Sequence, residues 1–407
     1  MKVSLRTSRH VKKAAVQITG SKSETNRLLI LQALYPSLTI KNSSESDDSV
    51  VLSKSLATTK GTIDVHHAGT AMRFLTAYFA ANDGAEIVLT GSERMQQRPI
   101  GILVDALKML GADISYVKNV GFPPLRIVGR NLTKNKVTLQ ANVSSQFVSA
   151  LLLIAPSLPN GLELTLQGTV TSRPYIEMTM GLLDQVGVRY HILANSIKID
   201  PCKELEINSI TVESDWSSAS YFYSFVALSE DLEITLESFK SESLQGDSAL
   251  VSLYKQLGVT TVFSEKGDKI TLSKASVTLP EMYTADLSDT PDIAQTIAVT
   301  CFGLGIGCKL IGLHTLKIKE TDRLTALKTE LQKLGATVQI TEATLEVSPS
   351  DAIVENVAIN TYNDHRMAMA FAPLALKCPI LINDAEVVSK SFPTFWDDVK
   401  TIGLEVT

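Results

Sequence analysis

The stretch GSKSETNR, Gly20 to Arg27, sets a glycine, two serines, a lysine and an arginine directly ahead of the apolar run LLILQAL. A helix start offers unpaired N–H groups and a positive dipole end, so such a stretch is a natural seat for an anion. Its spacing is not that of a P-loop, which needs Gly, four residues and then Gly-Lys-Ser/Thr. Polar groups precede five further apolar stretches: Gly69-Thr70, Ser144-Ser145-Gln146, Ser217-Ser218, Pro291-Asp292 and Asn363-Asp364-His365-Arg366. Taken singly, each Ser, Thr, Asp or Asn there is accounted for by N-capping. Cations are different, because Lys or Arg at a helix N-terminus opposes the macrodipole. Arg98, Arg323, Arg366 and Lys390 all read as lying at helix starts, which suggests starts that converge on bound anions.

The run KETDRL, Lys319 to Leu324, leaves two readings open. It is either a solvated helix start with a capping box from Thr321, or a carboxylic acid beside two cations that exchanges protons with a substrate. Two other motifs carry less. GLGIG (Gly303, Gly305, Gly307) has a dinucleotide-loop look but follows a helix and precedes a strand, so a helix-end turn is expected. His66-His67 has no carboxylate or thiol cluster near it in sequence, so it reads as structural, with no metal site expected.

These groups must be positioned by a repeat. Helical segments ending in Gly61, Gly111, Gly187, Gly258, Gly335 and Gly403 are each followed by a β-type run. A glycine there suits the left-handed residue just past a helix. The segments before them are amphipathic; Leu324, Leu327, Leu331 and Leu334, for example, share one face. Upstream of each lies a second helix that is apolar nearly all round, such as AMRFLTAYFA or QFVSALLLIA, and then a short strand such as AEIVLT or LELTLQ. Six copies of buried helix, strand, outer helix and strand result, the first shortened, with a repeat of roughly 70 residues. An open solenoid is the alternative; unit length and total size favour two compact domains of three repeats, dividing near Glu213.

With 407 residues, 44% hydrophobic and 20% charged, the chain reads as a soluble globular protein of two domains. A net charge of −5 counts against nucleic acid as the main partner. No apolar run reaches membrane-spanning length, and the basic N-terminus lacks the apolar core of a signal peptide. The four cysteines, Cys202, Cys301, Cys308 and Cys378, show no ligand-type spacing with the histidines, so reduced thiols and a cytoplasmic location are expected.

The motifs GSKSETNR, AGTAMR, RMQQRPI, SSQF, SRPYIEMT, PDIAQTIAV, KETDRL, YNDHRMAMAF and KSFPTFW follow one another along the whole chain. In this order they resemble the 5-enolpyruvylshikimate-3-phosphate synthase family of enolpyruvyl transferases. The resemblance implies an α/β fold, a two-domain inside-out α/β prism with three repeats per domain. It also implies that residues 1–19 return to the second domain, giving domains of 20–212 and of 1–19 with 213–407. The implied reaction joins phosphoenolpyruvate to the 5-hydroxyl of shikimate 3-phosphate with loss of phosphate, a step of the shikimate pathway to chorismate and the aromatic amino acids. It needs no cofactor and no metal.

Carried over motif by motif, the resemblance implies Asp292, Glu320, Lys22 and His365 as catalytic residues, Asp292 as the base on the 5-hydroxyl and Glu320 as the acid towards the methylene. It implies Lys22, Ser23, Arg27, Ser144, Ser145, Gln146, Ser172, Tyr175, Asp292, Thr315 and Lys319 around shikimate 3-phosphate. Lys22, Gly69, Arg98, Gln146, Arg323, Arg366 and Lys390 would hold phosphoenolpyruvate, where the herbicide glyphosate competes. A carboxyl between Lys319 and Arg323 is ordinarily held ionised, so Glu320 needs substrate charge or desolvation to serve as an acid. The chain departs from the family pattern at His67 (usually Asn), Phe74 (usually Pro) and Thr315 (often Asn).

The nearest rival, the UDP-N-acetylglucosamine enolpyruvyl transferase, characteristically uses a loop cysteine that the stretch GSERMQQRP lacks. A nucleic-acid scaffold or RNA-end cyclase is disfavoured by the net charge and by cations confined to helix starts. Small-molecule substrates, no nucleic acid, no membrane and a monomer are therefore expected.

Overall fold

In the computed structural model, residues 1–140, 144–168, 173–193, 195–319 and 321–407 are described, Ile318 by its backbone alone. The chain divides into two compact units, Gly20–Val212 and Met1–Thr19 with Glu213–Thr407.

In the Gly20–Val212 unit the helices are α1 (Lys22–Leu34), α2 (Asp47–Leu56), α3 (Gly69–Ala81), α4 (Gly101–Leu110), α5 (Ser145–Ile154) and α6 (Arg173–Gln185). Buried and outer helices alternate, as the sequence pattern requires. In α3 every residue from Ala71 to Ala80 is buried, whereas α4 buries only Leu103, Val104, Ala106, Leu107 and Leu110. Each fully buried Leu or Phe contributes about 1.5–3 kcal/mol, so the apolar helices are the ones the interior selects. Lys60–Asp64 pairs in parallel with Glu86–Thr90 across α3, and Glu86–Thr90 pairs antiparallel with Leu125–Val128. Lys136–Gln140 and Leu162–Gln167 repeat the parallel pairing across α5. The shortened first repeat keeps only Thr39–Lys41 beside Ser209–Thr211.

In the other unit the helices are α7 (Trp216–Leu228), α8 (Leu250–Lys255), α9 (Ala294–Gly303), α10 (Arg323–Lys333), α11 (His365–Phe371) and α12 (Phe395–Thr401). Its three four-stranded sheets pair Glu233–Glu237 with Lys13–Val16, Met282–Asp286 with Gly307–Ile311, and Val357–Ile359 with Ile380–Ile382, each in parallel. The N-terminal segment supplies strands to two of them, Val3–Thr7 and Lys13–Val16. The core of this unit gathers α7, α9 and α11 with aromatic side chains such as Trp216 and Phe239, whose rings meet edge to face at 4.9 Å.

All six glycines expected at helix ends have φ between 81° and 109°. Gly111 shows why: it closes α4 in the left-handed conformation, and its N–H reaches the carbonyls of Leu107 and Lys108. Gly61 is a correction, since it lies inside the strand Lys60–Asp64 and not at the end of α2. Gly303, Gly305 and Gly307 form the expected turn between α9 and a strand. Within each unit, strands Lys60–Asp64, Lys136–Gln140, Met282–Asp286 and Val357–Ile359 lead into α3, α5, α9 and α11, so these helix starts lie just past the carboxyl ends of strands.

Candidate functional site

In the Gly20–Val212 unit, Ser21 caps α1, its Oγ accepting from Glu24 N. Lys22 follows, its Nζ 3.9 Å from Asp48 Oδ2. Arg27, expected to grip a phosphate, is buried and largely occupied by protein groups. Its Nε donates to Thr179 Oγ1 (2.7 Å), Nη1 to the Ser23 carbonyl (2.7 Å), and Nη2 to Ser149 Oγ (3.2 Å) and the Tyr175 carbonyl (3.1 Å). Burial pushes its guanidinium down to about 10. Arg27 therefore ties α1 to α5 and α6, and in doing so fixes Ser23 and Tyr175. Phe74, unusual for the family pattern, lies under Arg27, with Cζ 5.6 Å from the ring centroid.

Ser144 caps α5 by accepting from Gln146 N, and Gln146 Nε2 donates to Thr70 Oγ1 (3.2 Å), joining the starts of α5 and α3. Ser145 is the first residue of α5 and buried. Gly69 opens α3 without a positive φ, so it is not a turn glycine in need of one. A Cβ built there would lie 2.6 Å from Arg98 Nη1. The guanidinium of Arg98 thus rests on the bare backbone of Gly69. His67, the other departure, exchanges a hydrogen bond with Ser92 (2.9 Å).

In the second unit, four residues separated by up to 74 positions come together. Arg323 Nη1 donates to Asp292 Oδ1 (2.8 Å), Arg366 Nη2 to Asp292 Oδ2 (3.2 Å), and Lys319 Nζ lies 3.6 Å from Oδ1. Behind them Asp364, fully buried, caps α11 by accepting from Arg366 N (2.9 Å) and takes Arg323 Nε at 2.6 Å. His365 is buried beside it, Nδ1 4.0 Å from Asp364 Oδ1. Two cations thus sit at starts of α10 and α11 because buried carboxylates offset the dipole. Arg366 also reaches Ser217 Oγ (3.4 Å), which donates to Asp247. Asp364, Asp247 and Ser217 were not expected to hold the cations; an acid two positions ahead of Arg366 was the available signal.

Two expectations change here. The cap of α10 is Asp322, whose carboxylate accepts from Thr325 N (3.1 Å) and Thr325 Oγ1 (2.9 Å), so Thr321 makes no capping box. Lys390 does not start a helix: it ends the 3-10 turn Ala385–Lys390, and α12 begins at Phe395. Its Nζ donates to the Asn363 carbonyl (2.7 Å), beside the start of α11. Thr315 Oγ1, in the turn His314–Ile318, is buried without a hydrogen-bond partner among the described residues. Ser172 and Glu320 lie outside the described residues. Among the described residues, no group of three His, Cys, Asp or Glu is placed to hold a metal ion.

Burial, and after it the charge of Asp292, push Asp247 up to about 6 from a usual value of 3.8. Between those values the folded chain keeps a proton that the unfolded chain has released, so this contribution is fully present below pH 4 and lost as pH rises through 6. The Tm of wild type relative to Asp247→Asn should therefore fall by a few degrees from pH 4 to pH 7. A difference that stays flat, or rises, by calorimetry would contradict this placement.

A family model described as EPSP synthase (3-phosphoshikimate 1-carboxyvinyltransferase) matches residues 36–399. The chain is 46% identical over 399 residues to the 3-phosphoshikimate 1-carboxyvinyltransferase of Bacteroides fragilis, covering 97% of this chain and 96% of that one. It is 36% identical over 417 residues to the protein of the same name from a Shewanella species, strain MR-7, covering 94% and 95%. Among solved structures, EPSP synthase from Acinetobacter baumannii matches with a TM-score of 0.79 at 21% identity, over 100% of this chain and 99% of that one. The enolpyruvyl transferase NikO from Streptomyces tendae matches with a TM-score of 0.72 at 12% identity, over 100% and 98%. The structural likenesses carry the fold, and the sequence matches carry the family. The chain belongs to the EPSP synthase (3-phosphoshikimate 1-carboxyvinyltransferase) family.

Proposed function

We propose that this protein transfers the enolpyruvyl group of phosphoenolpyruvate to the 5-hydroxyl of shikimate 3-phosphate, releasing phosphate. The observation that carries the reading is the cluster of Lys319, Arg323 and Arg366 around Asp292 in a chain of this family. Asp292 takes the hydroxyl proton as the 5-oxygen bonds to C2 of phosphoenolpyruvate, and Glu320 protonates the methylene carbon, giving a tetrahedral intermediate; the C2–phosphate C–O bond then breaks as Glu320 takes a proton back from the methyl carbon and Asp292 gives its proton to the leaving phosphate. Lys22 contacts both substrates, and His365 assists through its place beside Asp364. Ser23, Arg27, Ser144, Ser145, Gln146, Ser172, Tyr175, Thr315 and Lys319 serve shikimate 3-phosphate. The Thr315 hydroxyl, buried without a hydrogen-bond partner among the described residues, favours its part in this set. Gly69, Arg98, Gln146, Arg323, Arg366 and Lys390 serve phosphoenolpyruvate, whose negative charge the arginines and lysine stabilise through the transition state.

No described helix is long and apolar enough to cross a membrane. We infer a cytoplasmic monomer acting on small molecules. The test is phosphate release with shikimate 3-phosphate and, separately, with UDP-N-acetylglucosamine as acceptor. Release with the first alone is expected; release with the second alone would overturn the reading.

A further inference from the structure

Arg73, on the second turn of α3, is buried with no carboxylate paired to it among the described residues. Its Nη1 donates to the Gly69 carbonyl (3.2 Å) and meets Met95 Sδ (3.4 Å), and its Nη2 donates to the Pro99 carbonyl (3.2 Å). These two carbonyls bracket a contact: Gly69 is the residue on which the Arg98 guanidinium rests, and Pro99 follows Arg98 in the chain. Burial, and after it the neighbouring charge of Arg98, push Arg73 down to about 9. A buried cation beside a second cation is costly unless something negative offsets it. Among the described residues no ion pair supplies that charge to Arg98 either.

We propose that Arg73 is a positioning residue of the donor site: its grip on Gly69 and Pro99 sets Arg98 in place, and the two guanidinium charges together form a seat for a phosphate or carboxylate group. That the group belongs to phosphoenolpyruvate rests on the function proposed above. Truncating Arg73 removes both the grip and one charge, so the loss falls on the anion. The acceptor contacts of Ser144 and Ser145 lie on another helix and are spared. Arg98 carries the consequence, so variants at the two positions are coupled.

The test uses the full chain and inorganic phosphate as probe, with calorimetric Kd and steady-state KM values for Arg73→Met, Arg73→Lys, Arg98→Met and the double methionine variant. Arg73→Met should weaken phosphate binding and raise the KM for phosphoenolpyruvate by roughly tenfold or more, the scale of a lost charged hydrogen bond. The KM for shikimate 3-phosphate should stay near the wild-type value. The double variant should lose less than the product of the two single losses. Arg73→Lys keeps the charge but not the two-carbonyl fork, so an intermediate loss of about threefold is expected. An unchanged phosphate Kd in Arg73→Met overturns the proposal. If that variant does not fold, an unchanged Kd in Arg73→Lys overturns it instead. Lost phosphate binding in a protein whose wild type shows no enolpyruvyl transfer would uphold the anion seat and overturn only the identity of the donor.

Discussion

Asp292→Asn is expected to lower turnover by roughly 10²–10⁴-fold, the contribution typical of a positioned proton-transfer group, while shikimate 3-phosphate still binds. The carboxylate already accepts from Arg323 and Arg366 and lies 3.6 Å from Lys319, so in the proposed base role it would receive the hydroxyl proton among three cations. An amide offers one acceptor where the carboxylate offers two, and its NH₂ would face a guanidinium. The variant should therefore also melt several degrees lower, since breaking a buried ion pair strands the remaining charge. The two effects separate the possible roles. Calorimetric binding and single-turnover rates decide: a variant that melts early yet turns over within threefold of wild type would make Asp292 an anchor for the arginines and not a base.

Gly69→Ala should leave the fold intact and damage donor binding. The residue has no positive φ, so alanine meets no backbone strain and gains helix propensity of up to about 1 kcal/mol. Its methyl would, however, stand 2.6 Å from Arg98 Nη1, well inside contact distance. The arginine is the far end of a flexible side chain, so it swings away at little cost to stability and with direct cost to its ligand. Losing one charged hydrogen bond, worth about 1.5–3 kcal/mol, corresponds to a KM for phosphoenolpyruvate raised roughly 10- to 100-fold. If glyphosate competes at this site, as the family resemblance implies, this longer molecule should lose more affinity than the substrate. A drop in Tm of several degrees with an unaltered donor KM would mean that Gly69 matters to the backbone alone.

The elements were legible because their signals are local. A helix apolar on every side, such as α5 or α9, has only a buried place to go, and the glycines after α4, α6, α8, α10 and α12 mark chain reversals through their positive φ. Cations in the first turns of α10 and α11 could be recognised as costly within a few residues of sequence. What offsets that cost could not, because it is assembled across the fold. Asp292 reaches Arg366 over 74 positions, and Arg27 finds Thr179 over 152. Neighbouring polar side chains also compete in ways that spacing does not rank: Thr321 and Asp322 both suit a cap, and the carboxylate adjacent to Arg323 takes it. Arg73 is visible in sequence only as a lone cation in an apolar helix; its hold on the Gly69 and Pro99 carbonyls and its burial near Arg98 appear only in the fold.

Enolpyruvyl transfer by addition and elimination is tested most directly by incubating the purified protein with phosphoenolpyruvate and shikimate 3-phosphate in deuterated water and following the products by NMR. One phosphate should appear for each enolpyruvyl ether formed at the 5-hydroxyl. The methylene of that ether should carry deuterium, because the carbon gains a solvent-derived proton before it loses one. No ether, or an ether whose methylene stays free of deuterium throughout the reaction, would contradict the account.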